Sequence, residues 1–200
     1  MGFPKEEIKP QKLTFQEYIN LEKENNQKYE YYDGFVIAMA GGTRNHSRIS
    51  TNITSKLFSI LEEKGDKCEV FNSDTKLGFQ DKSKYLYPNA MVVCGDVEES
   101  RHNQDITNPI IIIEVLSKST EELDRKDKFG LYKQVPSLEY YVLISQDKPQ
   151  IEVYRKMKVE DNKSLWQIEI ITGIDKMLVF PTLDIEISFA LIYKKVEFEN

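Results

Sequence analysis

Apolar and polar positions along this chain divide it into short strands and a few helices. Residues 1–13 are polar with prolines at 4 and 10, and are expected to form a loosely ordered N-terminal segment. Thr14 followed by Glu17 makes a capping box, which predicts a helix from Phe15 to about Glu24 with Phe15, Tyr18 and Ile19 turned inward. From Tyr29 to Ala40 the pattern reads as two strands around an Asp33-Gly34 turn. Gly41-Gly42-Thr43 breaks that pattern and fits neither a P-loop nor a dinucleotide fingerprint. Between Arg44 and Lys64, Ile49, Ile53, Leu57, Phe58, Ile60 and Leu61 recur at helical spacing, and Gly65 suits a left-handed cap. Short β patterns follow at Cys68–Phe71, Thr75–Phe79 and Tyr85–Val93, the last interrupted by Pro88.

The most apolar stretch is Ile110–Leu116, whose four consecutive isoleucines suit a strand buried on both faces. Glu114 lies inside it, where an ionised carboxylate costs several kcal/mol unless it is paired or bound to metal. A helix pattern follows, with Leu123, Phe129, Leu131 and Tyr132 apolar and Arg125, Lys126, Lys128 and Lys133 basic. Strand patterns then recur at Glu139–Ser145, Gln150–Tyr154, Ser164–Thr172 and Lys176–Phe180, and Leu183–Ile192 closes as a short helix or strand. This order predicts a single α/β domain over 14–200, with one mixed central β-sheet flanked by helices.

The formal net charge of −6 over 200 residues gives no whole-protein attraction to nucleic acid, so any such binding needs a local basic patch. Two cysteines, Cys68 and Cys94, are too few for a disulfide framework and are expected as reduced, buried thiols. No signal peptide or membrane-length apolar run is evident, which predicts a cytoplasmic protein without membrane contact.

Several short motifs occur in one order: Tyr29-Glu-Tyr-Tyr-Asp-Gly, His46 opening a helix, Tyr87-Pro88-Asn89 and Glu114-Val-Leu-Ser-Lys-Ser-Thr. After these come Asp124-Arg125, Lys128-Phe129, Leu131-Tyr132, Pro136-Ser137-Leu-Glu-Tyr-Tyr and the Ile151-Glu-Val-Tyr strand. The ordered set resembles the Uma-type restriction endonucleases, a bacterial branch of the PD-(D/E)xK nuclease superfamily, over roughly residues 14 to 190. The resemblance implies a restriction-endonuclease-like fold and hydrolysis of DNA with Mg²⁺ or Mn²⁺. It places Glu114 as catalytic acid and metal ligand, Asn89 at the second ligand position, and Lys128 as a catalytic lysine moved onto the helix. Asp124 and Arg125 fit the same helix motif, more as ion-pairing residues than as catalytic ones. Homodimerisation is a further implication, since cutting both strands takes two sites.

One departure bears on activity: Asn89 stands where the family has aspartate. An amide oxygen ligates Mg²⁺ without contributing charge, and ligand charge helps set affinity. Either Asp74 compensates as a metal ligand, or the protein is weak or silent, or the asparagine was introduced to remove activity. Lys118, Arg125, Lys126 and Lys133 form the candidate nucleic-acid patch, and Glu30 and His46 are candidate accessory residues. A plain buried ion pair between Glu114 and Lys128 uses the same geometry and stays open. So do two readings without catalysis: a nucleic-acid-binding or regulatory module with this fold, and a structural or protein-interaction domain.

Overall fold

The computed structural model describes residues 12–39, 41–79, 83–99, 105–118, 120–157 and 165–198. The capping box acts as expected: Thr14 and Glu17 cap each other's backbone at the start of α1 (Phe15–Asn25), which buries Tyr18. β1 (Tyr29–Tyr32) and β2 (Phe35–Ala38) pair through Asp33 and Gly34, whose φ angles of 49° and 97° fit a tight hairpin turn. α2 (Arg44–Lys64) starts where the Thr43 hydroxyl accepts from the His46 amide and stops at Gly65, φ 65°. It buries Ile49, Ile53, Leu57 and Leu61. Phe58, expected on the same stripe, is 57% exposed, because it sits one position round from Leu57.

β3 (Cys68–Asn72), β4 (Lys76–Gly78), β5 (Lys84–Leu86), β6 (Ala90–Cys94), β7 (Asp105–Ile106) and β8 (Ile111–Leu116) follow. Beside a six-stranded mixed sheet, the described residues form a five-stranded sheet and a two-stranded hairpin. Pro88 divides the Tyr85–Val93 pattern, since proline lacks the N–H to carry on a ladder. Before it, β5 joins a five-stranded sheet ordered β2-β1-β5-β4-β7. After it, β6 joins a six-stranded sheet with β9 (Tyr140–Ser145), β10 (Gln150–Met157) and β11 (Leu165–Thr172), ordered β11-β10-β9-β8-β6-β3. All six residues of β8 are buried, and the strand runs parallel to β9 and antiparallel to β6. The chain ends in a hairpin of β12 (Met177–Phe180) and β13 (Ile185–Ser188), then α5 (Phe189–Ile192).

Between β8 and β9 the basic segment is helical in three parts: α3 (Glu121–Leu123), a π-helical stretch over Asp124–Lys128, and α4 (Phe129–Tyr132). One face of the six-stranded sheet packs on α2, β12, β13 and α5. The other packs on Tyr132, Val135 and Leu138 from this helical segment and the loop after it.

The cysteines correct an expectation. Antiparallel register sets Cys68 directly opposite Cys94, with Cα atoms 4.0 Å apart, and the two form a disulfide. Among the described residues, no helix is long and apolar enough to cross a membrane. His102 lies outside the described residues, as do residues 1–11 of the N-terminal segment.

Candidate active site

The two sheets and the start of α2 enclose a cleft of about 1080 Å³. Glu30 from β1, Asn89 from the Pro88 crossing, Glu114 from β8 and Asp124 and Lys128 from the π-helical stretch all line it. The Lys128 ammonium sits 3.0 Å from Glu114 Oε1, 2.9 Å from Glu30 Oε1 and 3.4 Å from Asp124 Oδ1. The Glu30 approach is not aligned as a hydrogen bond, so Glu30 Oε1 is buried with no hydrogen-bond partner among the described residues. Two phenols complete the cluster: Tyr132 donates to Glu114 Oε1 at 2.7 Å, and Tyr32 donates to Glu30 Oε2 at 2.6 Å.

Charge balance explains how these groups titrate. Three buried carboxylates face one ammonium, so one carboxylate gains by holding a proton. Burial is the main force pushing Glu114 up to about 7; Asp124 and Glu30 add to it, and Lys128 opposes it. Burial likewise raises Asp124, against the pull of Lys128. For Lys128, burial favours the neutral amine, but Glu114, Glu30 and Asp124 outweigh it and hold the group well above its ordinary value. Burial and the Glu114 carboxylate raise Tyr132, which therefore stays a donor.

Asn89 is held from both sides. Its Oδ1 accepts from the Val115 amide at 2.7 Å, and its Nδ2 lies 3.5 Å from His46 Nε2. Burial lowers His46, with Lys128 adding to that and Asp124 and the Val115 backbone opposing it, so the imidazole is neutral at neutral pH. Gly42 makes room for this ring: a β-carbon there would lie 2.7 Å from His46 Nδ1.

A family model described as "Putative restriction endonuclease", Uma2, matches residues 15–190. The chain belongs to the Uma2 family. "Uncharacterized protein slr1290" of Synechocystis sp. is 39% identical over 145 residues, covering 72% of this chain and 75% of the relative. "Uncharacterized protein sll1609" of the same organism is 37% identical over 147 residues, covering 72% of this chain and 81% of that protein. A crystal structure from Anabaena variabilis, titled a putative nuclease belonging to DUF820, matches with a TM-score of 0.70 at 18% identity. It covers 90% of this chain and 97% of its own, and shows that the Uma2 chain has the restriction-endonuclease-like fold.

Within this Uma2 fold the structure brings together Glu114, Asn89, Lys128, Glu30 and His46, and Lys118 lies at the cleft margin. It does not bring in Asp74. That residue is exposed in a turn, paired with Lys28 beside a second cavity of about 670 Å³. Three cations of the expected patch also face elsewhere. Arg125 is tied to the buried Glu152 and to Glu121, Lys126 pairs with Glu122, and Lys133 is exposed outside the cleft. Arg44 and Arg48, which line the cleft beside His46, were not singled out in the sequence; their four-residue spacing in the first turns of α2 was the available signal. Asp124, taken as an ion-pairing residue, is one, but its partner is Lys128 inside the cleft.

Proposed function

We propose that this chain is a metal-dependent endonuclease that hydrolyses DNA phosphodiester bonds in the cleft, with activity curtailed by Asn89. The observation that carries the reading is the convergence of Glu30, Glu114 and Asp124 on the single Lys128 ammonium at a cleft wall. A purely structural ion pair needs one carboxylate per cation, and an excess of buried acids has a steep desolvation cost.

The donor set suits a hard divalent cation. Among the described residues, no group of three His, Cys, Asp or Glu side chains is arranged as a ready metal cage. The donors are nevertheless oxygens, negative charge is in excess, and Glu30 Oε1 is buried without a hydrogen bond. Glu114, Glu30 and the Asn89 side-chain oxygen would hold Mg²⁺ or Mn²⁺, and the ion would supply charge neutralisation and an activated water. The chain's own residues do the rest. Lys128 steadies the phosphate as negative charge develops on it. Neutral His46, whose Nε2 lies 3.5 Å from Asn89 Nδ2, is held beside the site by that amide. Arg44, Arg48 and Lys118 neutralise flanking phosphates. Cutting both strands takes two clefts, so the active form is a homodimer.

The test is restoration of charge. The unaltered protein is expected to show little Mg²⁺- or Mn²⁺-dependent nicking of plasmid DNA. Asn89→Asp is expected to bind the ion in calorimetry and to nick, because a second carboxylate completes the site. Adding Glu114→Gln removes both signals. If Asn89→Asp neither binds metal nor cuts while the unaltered chain still binds DNA, the protein is a silent DNA-binding module with a nuclease fold.

A further inference from the structure

The six-stranded sheet ends on β11, which pairs with β10 and with no other described strand. Natural sheets blunt such an edge with lysine, proline, a bulge or a covering element. β11 reads LWQIEIIT, with neither lysine nor proline and with Glu169 as its one charged residue. It pairs with β10 over eight consecutive residues, so no bulge turns the edge away. Leu165, Ile168 and Ile170 are 61%, 55% and 61% exposed. A straight backbone edge with branched apolar side chains beside it is a template for another strand.

We propose that β11 is a dimer interface, at which two copies of this chain pair their β11 strands antiparallel about a two-fold axis through Ile168. The proposal rests on the strand alone and holds whether or not the cleft cuts DNA. The register identifies the occupant. A two-fold joining two sheet edges continuously keeps each face on the same side, so the axis passes through a residue facing its own copy. Centring on Gln167 or Ile170 leaves only five residues of each strand in register, Leu165–Glu169 or Ile168–Thr172. Centring on Glu169 sets two carboxylates directly opposite, which is destabilising.

Centring on Ile168 has neither fault. Ile168 then faces Ile168 of the other copy, and Trp166 faces Ile170 on the same side of the sheet. On the opposite side, Leu165 faces Ile171 and the Gln167 amide faces the Glu169 carboxylate. Every pair from Leu165 to Ile171 is thus apolar with apolar or donor with acceptor. A foreign strand would need to reproduce this pattern, which β11 supplies to itself. The closed two-fold also uses up the free edge, so pairing stops at two copies.

The unaltered chain is expected to have the mass of a dimer by light scattering. Ile168→Cys is expected to become a covalent dimer on mild oxidation, since Cys68 and Cys94 are already bonded to each other. Glu169→Cys is the control for register: its β-carbons would be diagonal neighbours about 7–8 Å apart and should cross-link poorly. Ile168→Lys is expected to raise the dimer dissociation constant roughly a hundredfold while circular dichroism stays unchanged. A monomer at about 100 μM overturns the proposal. So does a dimer indifferent to Ile168→Lys, or cross-linking that favours Glu169→Cys.

Discussion

At Glu114 a single proton separates two electrostatic states of the cleft. Its carboxyl titrates near 7 against an ordinary 4.5, chiefly because it is buried. The fold therefore favours the protonated form. The stabilisation from this group is complete below about 4.5 and is lost as pH rises through 7. Between pH about 5 and 7.5 the unaltered protein should lose on the order of 2–3 kcal/mol relative to Glu114→Gln. Urea unfolding of both proteins at the two pH values measures this, and a constant gap would mean that Glu114 ionises normally. Glu114 and Lys128 were legible in the sequence, because an acid inside a run of isoleucines has few affordable environments. Asp74 was misplaced for the opposite reason: an acid between two strand patterns looks the same whether it lines a cleft or, as here, meets Lys28 in a turn. The pairing of Arg125 was not legible, because a cation on a basic helix gives no hint of the buried Glu152 that it bonds.

Local signals fixed the elements whose ends are capped. Thr14, Asp33-Gly34, Thr43 and Gly65 each satisfy backbone groups within a few residues, so α1, the β1–β2 hairpin and α2 form where the pattern puts them. Thr43 also bonds the Gln146 side chain, which links the start of α2 to the end of β9. Thr43→Ala should cost about 1 kcal/mol of stability in thermal or urea unfolding. In the Asn89→Asp protein it should also weaken nicking, since the amide it caps belongs to His46. The π-helical stretch was not legible. Asp124, Lys128 and Tyr132 lie four apart, a spacing that drifts around a uniform α-helix. A wider turn between α3 and α4 offsets the drift and turns all three inward, where Lys128 and Tyr132 both reach Glu114. Single residues do not announce that insertion, and the Pro88 division into two sheets likewise depends on where the strands on either side find partners.

For the whole molecule, an overall charge of −6 means that any DNA would have to be held by position rather than by bulk attraction. If Arg44, Arg48 and Lys118 meet phosphates, each alanine substitution should reduce the log–log salt slope of DNA affinity by about 0.9. Lys126→Ala and Lys133→Ala should leave the slope unchanged, and filter binding over a salt series distinguishes the two sets. The cleft also has a mechanical side. Glu30 belongs to the five-stranded sheet, Glu114 to the six-stranded sheet, and one ammonium touches both. Lys128 is thus a rivet between two layers that Pro88 would otherwise let open separately. With Lys128→Met the rivet is gone and like charges face across the seam. Amide hydrogen exchange in β1, β2 and β5 should then speed up well before that in β8 and β9, as the smaller sheet becomes a unit that opens by itself.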